Sequence, residues 1–111
     1  MLEITKRLLR AAEGGEPVFL ASVLESGLRP LVPGARMLVE RSGERLGSLG
    51  DTALDDALAA YAPDAFAAHI AATLYVTPGG LSERTAKGAT AVYVEVVEAK
   101  PVFLIVGAGH I

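Results

Sequence analysis

The sequence contains no cysteine and no tryptophan. Without a thiol, the chain has no disulfide, no thiolate metal ligand and no cysteine nucleophile. A cysteine-free composition is compatible with a reducing compartment. Only three Phe and three Tyr are present, so few side chains could stack on bases, which argues against a nucleic-acid partner.

Long apolar runs and a strong charge of one sign are also missing. No run reaches the length that a membrane span requires. Lys6, Arg7 and Arg10 follow Glu3 at amphipathic positions instead of preceding an apolar stretch, so no signal peptide is predicted. The net charge is −3 and no basic patch stands out. We therefore expect a cytoplasmic protein without a membrane span and without nucleic acid.

The sequence does contain enough apolar residues for a core. Of its 111 residues 51% are hydrophobic, which suits one small domain. Periodicity and turn residues predict an α/β fold, with a small mixed β-sheet and two or three helices. The first helix is predicted over 2–13, and 25–35 is predicted to be irregular. Strands are predicted over 18–24, 37–40, 45–48, 73–77 and 91–97, with 37–40 and 45–48 forming a hairpin and 78–80 a loop.

A second helix is predicted to begin at Thr52. Thr52 is a good N-cap, and Asp55 three residues later makes a partner like that of a capping box. Pro63 is expected to end this helix and to begin another short one through Phe66 and Ile70. The simplest interpretation of Thr52 and Asp55 is therefore a helix cap.

The last residues begin a nucleotide-binding pattern. The apolar stretch 102–106 runs into Gly107-Ala108-Gly109-His110, as the first strand of a dinucleotide-binding unit does. The third glycine, the following helix and the ribose-binding acid are absent from the sequence, so we expect no NAD binding by this truncated chain. The predicted division is a domain over 1–99, then a linker and an isolated Rossmann-type first strand over 100–111.

An apolar strand at 102–106 is expected to need a pairing partner. It could form a tight hairpin with 91–97, or it could pair with another chain. Pairing between chains is favoured, which predicts a homo-oligomer.

Two segments and the end of the chain together carry a family resemblance. The residues concerned are Gly27, Pro30, Gly34, Ala35, Arg36 and Met37, then Gly47, Ser48 and Gly50, then 107–110. In this combination the chain resembles the XdhC/CoxI family of accessory proteins, which mature molybdenum hydroxylases such as xanthine dehydrogenase and carbon monoxide dehydrogenase. The resemblance implies a maturation factor or chaperone instead of an enzyme. It implies a bound or delivered molybdenum cofactor (molybdopterin), a molybdenum hydroxylase client and a sulfur-transfer enzyme as a further partner.

The resemblance also implies which residues hold the cofactor. They are Gly27, Arg29, Pro30, Gly34, Arg36, Gly47, Ser48, Gly50 and Asp55. The chain departs from the family pattern at Leu28, at the inverted pair Arg29-Pro30 and at Gly50-Asp51-Thr52, where the family has three glycines. Asp51 adds a negative charge where an anion would bind.

Other interpretations stay open at this point. Arg29 and Arg36 could simply be solvated charges. The chain could be the N-terminal part of a nucleotide-dependent oxidoreductase-like protein, or an assembly module that binds no cofactor. No spacing of His, Asp or Glu indicates a metal site, and there is no nucleophile elbow and no P-loop.

Overall fold

Two helices and six strands make up the part of the chain described by the computed structural model, which is residues 2–27, 31–77 and 80–99, with Leu2 described by its backbone only. The elements in chain order are α1 (Leu2–Ala12), β1 (Val18–Glu25), β2 (Arg36–Glu40), β3 (Arg45–Gly47), α2 (Thr52–Ala68), β4 (Ala71–Thr77), β5 (Gly80–Ser82) and β6 (Thr90–Val97).

The strands form one sheet in the order β3-β2-β1-β6-β4-β5. The α/β class is confirmed, as is the hairpin that joins β2 to β3. Every described pair is antiparallel, so the sheet is antiparallel where a mixed one was predicted. Parallel neighbours need a long crossover. The one crossover helix, α2, instead connects β3 to β4, which lie in different parts of the sheet.

The two helices cover opposite faces of the sheet. On one face, Ile4 and Ala11 of α1 pack with Val18, Leu20 and Leu38. The alternate residues of the same strands point to the other face, as the two-residue period of a strand requires. There they form the larger core with α2, which includes Phe19, Ala21, Val23, Met37, Val39, Leu54, Leu58, Phe66, Leu74, Val92 and Val94.

Helix α2 runs through Pro63, which corrects the prediction that this proline ends it. A proline inside a helix costs about 3 kcal/mol because a backbone hydrogen bond is lost. Pro63 is exposed, whereas Ala62, Ala65 and Phe66 on either side are buried in the core. Burying a side chain as large as Phe66 contributes about 2–3 kcal/mol, and such burial offsets the loss.

Strand β5 was not predicted. The predicted loop over 78–80 includes Gly80, which instead begins β5, and Leu81 and Val76 form a cross-strand pair in a β4–β5 hairpin. The strand is only three residues long, which is too short for alternation of apolar and polar residues to show.

Strand β6 lies in the interior of the sheet. It pairs with β1 on one side and with β4 on the other. Both of its edges are therefore occupied by described strands. The segment 102–106, the Gly107–His110 motif and the predicted division at residue 100 lie outside the described residues. Neither described helix is long and apolar enough to cross a membrane.

Candidate functional site

The loops that carry the family-like residues meet at one end of the sheet. Strand β1 ends there and β2 begins there, since Ser22 pairs with Arg36. Strand β3 ends at the same place, where Met37 pairs with Gly47. The start of β6 joins them through the pair Glu25 and Ala91. Residues 26–27 and 31–35, residues 48–51 and the residues just before β6 therefore lie at this end of the sheet, and we call this region the loop end.

Gly47 allows β3 to lie very close to the start of β2. It has a φ of +79°, and a Cβ atom there would lie 2.6 Å from the carbonyl oxygen of Arg36 and 2.8 Å from Cδ1 of Ile4. No side chain fits between these atoms. The glycine is therefore required by the close approach of β3 to β2.

Two leucines anchor the loops from inside. Leu31 and Leu49 are both buried in the core that underlies α2. A Cβ atom on Gly50 would meet Leu31 at 3.5 Å, so the two loops touch. Hydrophobic burial of one residue from each loop holds the segments 31–36 and 47–50 together.

Gly27 lies against the third loop. Its φ is +61°, and a Cβ atom there would lie 2.6 Å from the amide nitrogen of Thr90. The hydroxyl of Thr90 donates a hydrogen bond to the carbonyl of Ser26 at 2.7 Å. Thr90 is buried and was missed in the sequence, because no local pattern marks a threonine that bonds to a residue 64 positions away.

Asp55 organises the turn that precedes α2. Its carboxylate accepts hydrogen bonds from the hydroxyl of Ser48 at 2.5 Å and from the backbone N–H of Leu49 at 2.9 Å. The hydroxyl of Ser48 also accepts from the N–H of Gly50 at 3.0 Å. Asp55 is only 8% exposed. Both of its oxygens therefore bond within the protein and hold the turn.

The N-cap of α2 is Asp51, which corrects the assignment to Thr52. The side chain of Asp51 accepts from the N–H of Leu54 at 3.2 Å, and its carbonyl accepts from Asp55 at 2.9 Å. A capping box does not form, because Asp55 turns towards Leu49. The carboxylate of Asp51 thus accepts a hydrogen bond from an N–H group in the first turn of α2, as the side chain of an N-cap residue does.

Arg36 supplies positive charge at the loop end. It is half-buried, and no described carboxylate lies within ion-pair distance of it. Gly34 is exposed with a φ of +93°, and its N–H donates to the carbonyl of Val23 at 2.9 Å. Arg29 and Pro30 lie outside the described residues. The remaining predicted site residues come together at this end: Gly27, Gly34, Arg36, Gly47, Ser48, Gly50 and Asp55.

Two clefts open at the loop end. One, of about 400 Å³, is lined by Leu24, Glu25, Ser26, Gly27, Pro33, Gly88 and Ala89. The other, of about 190 Å³, lies between the start of α2 and the β4–β5 hairpin, and is lined by Ala53, Leu54, Ala57, Val76, Thr77, Gly80 and Leu81. Within residues 2–27, 31–77 and 80–99, no group of three metal-ligating side chains is found.

Comparisons with known proteins identify the family. The model of the XdhC and CoxI family matches residues 11–77, which include the described parts of both glycine-containing segments. No curated protein matches the chain.

A similar fold occurs in the crystal structure of a protein described as a xanthine dehydrogenase from Bacillus halodurans, with a TM-score of 0.51 and 21% identity. The match covers 87% of this chain and 30% of that one, so the chain spans about a third of the length of this structural neighbour. At this identity the likeness concerns the fold. The family match extends over more than half of the residues, and the chain belongs to the XdhC and CoxI family.

Proposed function

We propose that the protein is an accessory factor in the maturation of a molybdenum hydroxylase, and that it binds or delivers molybdenum cofactor at the loop end. The XdhC and CoxI family is associated with that maturation. The observation that carries the proposal is the meeting of the two family-like segments, through Gly47 against Arg36 and Leu31 against Gly50. A cytoplasmic location belongs to the same proposal.

The N–H groups and charged side chains at the loop end determine which contacts could hold an anionic pterin phosphate. The N–H groups of Leu49, Gly50 and Leu54 already have acceptors within the protein. Among the described residues, no carboxylate lies within ion-pair distance of Arg36. Charged hydrogen bonds from arginine are the strong contacts to phosphate. We therefore expect Arg36, and Arg29 by the family resemblance, to contribute most of the binding of the ligand.

Equilibrium binding of molybdopterin to the purified chain tests this proposal. We expect the double substitution Arg29→Ala and Arg36→Ala to weaken binding by about 1–3 kcal/mol per charged hydrogen bond lost, or roughly tenfold or more, with little change in folding. Arg41→Ala is the matched control, because it removes the same charge about 16 Å further along β2, at the other end of the sheet.

Two results would count against the proposal. One is the absence of measurable binding at high micromolar molybdopterin in a well-folded sample. The other is unchanged affinity in the double variant, which would move the site away from this loop.

The partners form a separate part of the proposal. The client would be a molybdenum hydroxylase, and a sulfur-transfer enzyme would be a further partner. Co-purification of this chain with a molybdenum hydroxylase from the same cells should detect the first contact. If molybdopterin binds but no hydroxylase is recovered, delivery to a client would lose its support.

A second candidate is an assembly module that binds no cofactor. The specific observation is Asp51, whose carboxylate caps α2 at the position where a phosphate would approach the helix. The N-terminus of a helix attracts anions, and in α2 the carboxylate of Asp51 already lies there. Recovery of a protein partner together with failure to bind molybdopterin would favour this candidate.

A further inference from the structure

One stretch of strand β4 has an open edge. Strand β4 covers Ala71–Thr77, and β6 pairs with 71–76 along one side. On the other side β5 pairs only with Tyr75, Val76 and Thr77. Residues 71–74 therefore have no described strand beside them on that side. A row of unpaired backbone groups is a template for another strand.

The alternation of a strand shows which backbone groups face this edge. The carbonyl of Ile70 accepts from the N–H of Val96, so the even-numbered positions bond towards β6. Thr77 and Gly80 close the hairpin with β5, so the odd-numbered positions bond outwards. The N–H and carbonyl groups of Ala71 and Thr73 thus point to the open side, where no described residue bonds to them.

This edge lacks the usual protections. Residues 71–74 contain no proline and no charge, and their register with β6 has no bulge. The outer strand at the opposite side of the sheet, β3, is only three residues long and carries Arg45. Natural sheets commonly protect their edges by charges, prolines, bulges or short strands.

We propose that the open edge of β4 binds the same edge of a second copy of this chain, in an antiparallel pair about a two-fold axis. With Ala72 on the axis, Ala71 faces Thr73 of the partner subunit, and about four backbone hydrogen bonds form. Leu74 then lies opposite the partner's Ile70. Both belong to the side of the sheet that packs under α2, so the apolar pairing continues that core across the axis.

The second copy fits this edge better than an arbitrary peptide does. The register pairs small side chains with small ones near the axis and apolar side chains with apolar ones at its ends. No like charges meet, because residues 70–74 carry none. The inference does not depend on cofactor binding at the loop end, which lies at the far end of β4.

Sedimentation velocity on the full chain over a range of concentrations tests the proposal. We expect a concentration-dependent dimer. Thr73→Pro removes one outward N–H from each copy, which should raise the dimer Kd about tenfold or more. The protomer should stay folded, since proline is accepted where the N–H of an edge strand faces solvent. Thr73→Val keeps the N–H and serves as the matched control that still dimerises.

Ala71→Pro is a second, independent variant, at the first residue of β4. A wild-type chain that stays monomeric at about 1 mM overturns the proposal, because even a millimolar Kd would then populate a dimer. Dimers that both prolines leave unaffected place the contact elsewhere and overturn it too. Unfolding of both variants would show that these N–H groups bond within the protomer, which assigns the edge to another segment of the same chain.

Discussion

Replacing Asp55 with alanine is the most direct test of how the turn before α2 is held. The carboxylate accepts from the hydroxyl of Ser48 and from the N–H of Leu49, and these bonds link the end of β3 to the first turn of the helix. Alanine removes both acceptors. The hydroxyl can rotate towards another partner, but the N–H of Leu49 belongs to a residue that is 1% exposed and is left without an acceptor.

The magnitude follows from these contacts. Hydrogen bonds to a charged group contribute about 1.5–3 kcal/mol each, and part of this is offset because the buried carboxylate no longer has to be desolvated. We expect Asp55→Ala to lower the free energy of unfolding by about 2–4 kcal/mol. Asp55→Asn keeps one carbonyl oxygen for the N–H of Leu49 and should cost about half as much.

Asp56 offers a matched control at the next position. Its side chain is 61% exposed and pairs with Arg45 at 2.9 Å on the surface. An exposed ion pair contributes about 0–1 kcal/mol, so Asp56→Ala should leave stability nearly unchanged. Urea unfolding followed by circular dichroism measures both variants. Equal losses below about 1 kcal/mol for Asp55 and Asp56 would refute the view that the buried carboxylate holds this turn.

Three further predictions concern the corrected helix cap, the close approach of β3 and the titration of a tyrosine. Asp51→Ala should cost about 1 kcal/mol and Thr52→Ala only a few tenths in urea unfolding, and the reverse order would return the cap to Thr52. Gly47→Ala should cost about 2 kcal/mol more than Gly43→Ala, because both have positive φ but only Gly47 is close to another residue; equal midpoint shifts would mean that the loop yields easily. Burial, followed by the charges of Glu83 and Asp64, raises the pKa of Tyr61 above its ordinary value of 10.0. The neutral tyrosine is therefore favoured in the folded state, and its stabilisation is present below about pH 10 and lost as the pH rises through the folded pKa. Tyr61→Phe should flatten this alkaline decline in the unfolding free energy, and a decline of the same size in the variant would assign it to other groups.

Local patterns in the sequence were enough for most of the secondary structure. The helix predicted over 2–13 is present as α1, and the predicted hairpin of 37–40 with 45–48 is present as β2 and β3. The strand predicted over 18–24 is present as β1. These features depend on neighbouring residues, so a sequence can show them directly.

Competition between neighbouring signals explains the errors within α2. Asp51 and Thr52 are both good caps, and only the path of the chain after Leu49 decides between them. Pro63 predicts a helix end, but the core that β1, β2 and β6 build beneath α2 buries Ala62 and Phe66 together and keeps the helix continuous. Such tertiary burial outweighs a local preference because it contributes more free energy than the preference costs.

The sequence by itself determined most of the helices and strands and the two segments that mark the family. The tertiary structure alone decided that these segments meet, that Asp55 bonds inside the turn, and that Thr90 joins the loop end through Ser26. It also decided that β6 is central and that residues 71–74 have no described strand beside them on one side. The physical reason is that strand order brings together residues far apart in the chain, and no local spacing records which edges will be neighbours.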